Sequence, residues 1–304
     1  MSKLVRNLHG VVVFAGLTIN TVVWFVPIFL LAIVKLVLPI KAIRRGITRL
    51  LMSLGENWIS VNRWVLAGSG ALGWRAQGIE NVSRNGWYLV VSNHQTWVDI
   101  LLLQFVFNRK IPFLKFFIKR ELIWFPLLGI AWWALDMPFM KRYRPSYLAK
   151  HPEKKGSDLA ATRKACEKFR DTPTSVINFV EGTRFSEQKR IKRGSPYRNL
   201  LPPRAGGIAV ALTSMGELFD AMLDVTIVYS GGVPKFWSLC CGERVAVEVD
   251  VRVRKIDQSL IEGDYQNDRD FRRRMHKWLG TIWADKDELI DSIGADSQSG
   301  TSVA

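Results

Sequence analysis

Cysteine is scarce in this chain of 304 residues: there are three, Cys166, Cys240 and Cys241. They form no CxxC pair and no metal-ligand spacing. An odd count excludes a closed disulfide framework, so reduced thiols facing a cytosol are expected. Histidine is almost as rare, with four copies, so histidine chemistry has few places to reside. Acidic residues are also in deficit, 27 against 43 lysines and arginines, which leaves a formal charge of +16. Such a balance asks for an anionic partner, either nucleic acid or a phospholipid surface.

A further absence decides between those two. From Gly10 to Val34, GVVVFAGLTINTVVWFVPIFLLAIV, no charged residue occurs. A helix of about 20 apolar residues crosses the ~30 Å hydrocarbon core of a bilayer. A cleaved signal carries a shorter apolar region of about 7–15 residues with a small-residue cleavage site, and neither is evident. A buried core helix is the alternative to a membrane anchor. Lys3 and Arg6 precede the run, whereas Lys35, Lys41, Arg44, Arg45 and Arg49 follow it. For a full span, the positive-inside rule places everything after residue 35 in the cytoplasm. Asn20 and Pro27 leave room for a kinked or re-entrant hairpin. Nucleic-acid binding is excluded as the main reading, because no recognition signature accompanies the cations.

What is abundant points the same way. Hydrophobic residues make up 48% of the chain and tryptophan occurs 12 times, a residue that favours interfaces. Residues 42–66 place Ile43, Ile47, Leu50, Leu51, Leu54, Trp58 and Val61 at helical spacing among arginines. This is an amphipathic helix that lies either on a bilayer or on the body of the protein. From about residue 72, strands and helices alternate. Strands are expected in 86–93, 111–117, 136–141, 174–182, 223–231 and 244–254, and helices in 158–170 and 207–215. That alternation predicts an α/β fold with buried central strands. The domains read as a membrane anchor over 1–70, a catalytic domain over 71–284, and an acidic, Ser/Gly-rich tail over 285–304 that is expected to be disordered.

Four constellations carry candidate chemistry. In SNHQTWVD (92–99), His94 and Asp99 are five apart. On one helix they would point about 140° apart, so they meet only if His94 lies in the strand-to-helix turn. Thr96 as N-cap with Asp99 three positions later gives Asp99 a capping role as well. A carboxylate so placed also accepts from the imidazole and favours its charged form. In FVEGTRFS (179–186), a buried strand ends at Glu181-Gly182-Thr183-Arg184. Gly182 permits close backbone approach and Arg184 offers a planar fork suited to phosphate, although a turn with a Glu181–Arg184 ion pair explains the tetrapeptide equally well. Lys141 and Arg142 end LDMPFMKR, and Arg204 precedes a Gly-Gly turn in NLLPPRAGG. These three cations face an anionic substrate or solvent.

Taken in this order, the motifs resemble the glycerolipid acyltransferase family, and most closely its lysophosphatidate and lysocardiolipin branch. His94 and Asp99, with Asn93, match the family's NHx4D motif. MPFMKR is similar to its second motif and FVEGTRF to its third. The region matching the fourth, DVTIVYSGGVP, departs from the pattern: Thr226 stands where proline is common and Pro234 is displaced. The resemblance implies a mixed, largely parallel sheet flanked by helices. It also implies His94 as general base, Asp99 as its orienting partner, and substrate binding by Glu181, Gly182, Thr183 and Arg184, with Lys141, Arg142 and Arg204 assisting. The implied acceptor is a lysophospholipid, and the co-substrate is an acyl-CoA or acyl carrier protein thioester. No metal or other cofactor is implied. Membrane phospholipids are the expected partner, and a bacterial cell inner membrane the expected location. The rival reading is a non-catalytic protein that binds or shapes anionic membranes.

Overall fold

The computed structural model describes residues 2–38, 40–140, 151, 169–170 and 172–299. α1 (Lys3–Val37) is one continuous helix with Pro27 inside it, so the uncharged segment does not fold back on itself. α2 (Lys41–Gly68) packs beside it. Asn20 supplies the direction that apolar packing lacks, donating from Nδ2 to Asn62 Oδ1 at 2.9 Å and to the Trp58 carbonyl at 3.0 Å. The buried positions of α1 form one stripe, Gly10, Val13, Leu17, Asn20, Ile28 and Ala32, at the spacing a 3.6-residue repeat requires. Its opposite face leaves Val11, Val12, Ile19, Val23, Leu30 and Leu36 exposed.

Both ends of α1 are fixed to the rest of the protein. A Cβ added to Gly10 would lie 2.7 Å from Cys241 Sγ. At the other end Lys35 Nζ meets Asp136 Oδ2 at 2.6 Å. α2 buries Ile47, Leu51, Ile59 and Leu66, so its apolar stripe serves the protein's own core.

Six strands form the main sheet: β1 (Leu72–Gln77), β2 (Tyr88–Ser92), β3 (Leu114–Phe116), β6 (Ser175–Phe179), β7 (Ala221–Ser230) and β8 (Val245–Arg254). Their order is β1-β8-β7-β2-β6-β3. Among the described residues, only the β7–β8 pairing is antiparallel; the others are parallel. β4 (Ile118–Lys119) and β5 (Phe139–Met140) form a separate two-stranded parallel pair. The sheet is therefore mixed and largely parallel, with central β2 buried throughout, as near-continuous apolar strands between two layers require.

Among the described residues, the α-helices after α2 are α3 (Val98–Phe107), α4 (Leu128–Ala134), α5 (Glu187–Lys192), α6 (Ala205–Met215), α7 (Phe236–Cys240) and α8 (Arg269–Ser299). α1, α2 and α3 contribute to the core on one face of the sheet. α6 and α8 cover the other.

One expectation is corrected here. The acidic stretch from Asp285, expected to be disordered, continues α8 as far as Ser299. Phe271, Met275, Leu279, Ile282, Trp283, Lys286 and Ile290 are buried at helical spacing, which holds it. Its acids also have work: Asp287 accepts from the Arg198 and Asn199 amides at 2.7 and 2.8 Å. Composition suggested solvation, whereas the apolar repeat decided the conformation. Residues 300–304 lie outside the described residues, as do most of the expected 158–170 helix and both cations Lys141 and Arg142.

Candidate active site

β2 ends at Ser92, α3 begins at Val98, and His94 sits in the corner between them. Asn93 fixes that corner to β7: its side chain donates to the Ile227 carbonyl at 2.9 Å and accepts from the Ile227 amide at 2.8 Å. His94 Nδ1 meets Asp99 Oδ2 at 2.8 Å. The same Oδ2 accepts from the backbone amides of Gln95 at 2.5 Å and Thr96 at 2.9 Å. This is the back-reaching half of a capping box. The Thr96 hydroxyl donates to the Pro234 carbonyl at 2.8 Å and accepts from the Val98 amide at 3.5 Å, and the N-cap position falls on Trp97, one residue later than expected. Asp99 thus caps the turn and orients the histidine at once.

Two neighbours of this pair carry no signal in the sequence. Phe179, at the end of β6, stacks its ring on His94 with centroids 4.1 Å apart. Tyr229, on β7, donates its hydroxyl to Asp99 Oδ1 at 2.6 Å. Burial first, and then the Asp99 carboxylate, push the Tyr229 phenol far above its ordinary range, so it remains a donor at any working pH.

Glu181 is placed differently from the expectation. It is fully buried, and its two oxygens accept from backbone amides, Oε1 from His94 at 2.9 Å and Oε2 from Leu201 at 3.0 Å. Its carboxylate therefore braces the His94 turn from behind and does not face the open side of the site. No Glu181–Arg184 ion pair forms among the described residues. Burial pushes the Glu181 carboxyl up to about 7, with a smaller rise from Asp99; the two amides pull it down.

The rest of the motif makes a tight turn beside the histidine. Gly182 adopts φ +68°, a conformation that favours glycine. The Phe185 amide donates to the His94 carbonyl at 2.7 Å, which joins the two motifs directly. Arg184 is exposed, with its guanidinium 5.2 Å from the ring centroid of Trp97. Thr183 Oγ1 accepts from Lys189 Nζ at 3.1 Å, and that ammonium also holds the Arg184 carbonyl at 2.8 Å.

Arg204 is also exposed and lies across Gly182: a Cβ built on that glycine would be 3.2 Å from Arg204 Cδ. Arg193 donates to the Glu181 carbonyl at 3.3 Å. Its guanidinium is held below the ordinary range by burial and by the charge of Arg204. Three arginines therefore surround the Gly182 turn, two of them expected and Arg193 found only in three dimensions. Among the described residues no group of three or more His, Cys, Asp or Glu could hold a metal ion.

A family model described as Acyltransferase matches residues 74–230, more than half of the chain. A probable 1-acyl-sn-glycerol-3-phosphate acyltransferase 5 of Arabidopsis thaliana is 27% identical over 67% of this chain and 53% of its own length. The 1-acyl-sn-glycerol-3-phosphate acyltransferase gamma of Mus musculus is also 27% identical, over 66% and 52%. A 2-acyl-1-lysophosphatidylinositol acyltransferase of Saccharomyces cerevisiae is 24% identical over 67% and 60%. The chain thus spans little more than half the length of these relatives.

Among solved structures, the 1-acyl-sn-glycerophosphate acyltransferase PlsC of Thermotoga maritima superposes with a TM-score of 0.52. It covers 92% of this chain and 98% of its own, at 17% identity, and so shares the fold. With the NHx4D and EGTR motifs joined in one site, the chain belongs to the glycerolipid acyltransferase family.

Proposed function

We propose that this protein transfers a fatty acyl group from a thioester, acyl-CoA or acyl carrier protein, to the free hydroxyl of lysophosphatidate or another lysophospholipid. One observation carries the reading: His94 Nδ1 is engaged by Asp99, which leaves Nε2 as the basic nitrogen beside the Gly182–Arg184 turn. In the step we envisage, the acceptor hydroxyl gives its proton to Nε2 as its oxygen attacks the thioester carbonyl. The tetrahedral intermediate collapses, the C–S bond breaks, and the thiolate takes the proton back from the imidazolium. Free thiol and ester result, and no external reductant or oxidant is needed. General base assistance of this kind contributes roughly 10²–10⁴ in rate. Arg184 and Arg204 are exposed around Gly182 and suit the phosphate of the acceptor.

Support for a membrane location comes from α1, long and apolar enough to cross a bilayer. Because Gly10, Asn20 and Lys35 all contact the body, we infer that α1 lies along one leaflet with its outer face in the lipid. Exposed Trp124, Phe125 and Trp133 extend that apolar surface. Arg44, Arg45 and Arg49 would then meet anionic headgroups. The bacterial inner membrane, with the catalytic body on the cytoplasmic side, is the location we propose.

The test is purified full-length protein with acyl thioester and lysophosphatidate in mixed vesicles, read by release of free thiol. Wild type releases thiol and His94→Ala does not. Equal release by both would refute the assigned base. Vesicle binding that falls with salt, with no thiol release by wild type, would establish the non-catalytic alternative.

A further inference from the structure

We propose that Tyr229 is a positioning residue that sets the basicity of His94 through Asp99. The inference rests on the catalytic reading above for its meaning, but its geometry stands alone. Asp99 has two oxygens with different partners. Oδ2 serves His94 Nδ1 and the amides of Gln95 and Thr96, while Oδ1 accepts from the Tyr229 hydroxyl at 2.6 Å. Both side chains are buried, so no water competes for that lone pair. A short hydrogen bond to a buried anion draws charge out of the carboxylate. What remains on Oδ2 to attract the imidazolium is correspondingly less. Tyr229 thus works as a brake on the histidine: it holds the Asp99 carboxylate aimed while limiting the pull that Oδ2 exerts on the imidazole.

Other groups around Asp99 do not vary this setting independently. Gln95 and Thr96 contribute backbone amides, which no substitution other than proline removes. Glu181 turns both oxygens to amides, and Lys286 is committed to Asp224 and the β7 backbone. The Tyr229 hydroxyl is the adjustable donor, on the strand that departs most from the family pattern.

The experiment pairs Tyr229→Phe with 3-fluorotyrosine installed at position 229 by nonsense suppression, in full-length protein in detergent or vesicles. The first removes the donor and keeps the ring; the second makes the phenol a stronger donor. Two readouts are taken: the acid limb of the kcat/KM profile for thiol release, and the titration midpoint of His94 by NMR of labelled histidines, assigned with His94→Ala.

Tyr229→Phe is expected to move both upward by about half a unit to one unit, a fraction of what a neighbouring charge does. 3-Fluorotyrosine is expected to move both downward. The Tyr229→Phe plateau falls by less than the roughly 10²–10⁴ that loss of the base costs. Unmoved midpoints, or two shifts in the same direction, would overturn the proposal and leave Tyr229 a packing residue. If wild type transfers no acyl group, the catalytic reading fails, and the NMR titration still decides the role of Tyr229.

Discussion

Replacing Glu181 by glutamine separates two roles that the EGTR motif alone cannot. In the structure this carboxylate is buried and accepts from two amides, His94 N and Leu201 N. Glutamine keeps the shape and one acceptor, but its amide nitrogen opposes one of those N–H groups. Leaving a buried donor unsatisfied costs about 1–3 kcal/mol.

The pH dependence has a definite sign. The folded carboxyl titrates near 7, above its ordinary 4.5. Its contribution to stability is therefore full below about 4.5 and is lost as pH rises to about 7, by roughly 3 kcal/mol. Glutamine has no such slope. Glu181→Gln should accordingly be less stable than wild type near pH 4.5, with the deficit closing by pH 8. Urea unfolding followed by tryptophan fluorescence across that range measures it. In the thiol-release assay the variant should lose kcat, because the His94 turn is no longer braced, with little change in acceptor KM. A stability difference independent of pH, or a raised acceptor KM at constant kcat, would refute the bracing role.

Two further outcomes follow from neighbouring geometry. Gly182→Ala must place a Cβ at φ +68° and 3.2 Å from Arg204 Cδ, so it should cost about 1–2 kcal/mol in urea unfolding and raise acceptor KM as Arg204 is displaced. Lys286→Met removes the ammonium that lies 2.7 Å from Asp224 and 2.6 Å from the Val225 carbonyl. Because Arg254 still pairs with Asp224 at 2.9 Å, the loss should stay below the ~3–5 kcal/mol of a wholly stranded buried charge and recover in part when Asp224→Asn is added, with the double variant read by the same unfolding curve.

Much of the site was legible because its parts are local. His94 and Asp99 are joined by one turn, and the [ST]-x-x-[DE] spacing announced the helix start that brings them together. The turn after β6 was equally visible, since Gly182 follows an apolar strand, although the tetrapeptide by itself fitted an ion-paired turn as well as a binding one. Long-range partners were not legible. Tyr229 reaches Asp99 across 130 residues, and in sequence it is one apolar ring in an apolar strand. Arg193 looked like any cation in a basic stretch. The contacts of Glu181 were not legible either: the resemblance implied substrate binding and the tetrapeptide allowed an ion pair with Arg184, whereas in the structure both oxygens accept from amides distant in sequence. In the fold, the strands over 86–93, 174–182, 223–231 and 244–254 followed from their β-branched runs. β1 (Leu72–Gln77), an edge strand containing Gly73 and Arg75, lacks such a run. Its parallel pairing with β8 depends on a crossover that no local pattern encodes.

The placement of Lys286 has a consequence for the order in which the protein comes into being. The proposed base is at residue 94, the carboxylate behind its turn at 181, the buried phenol at 229, and the ammonium beside Asp224 at 286. Ribosomes add about 5–20 residues per second, so roughly ten seconds or more separate synthesis of the histidine from synthesis of Lys286. α1 precedes all of these groups in the chain and is already an apolar helix suited to lipid. The nascent chain can therefore reach the bilayer while its histidine is still unaimed, and the site is completed only after the protein has arrived where both of its proposed substrates reside.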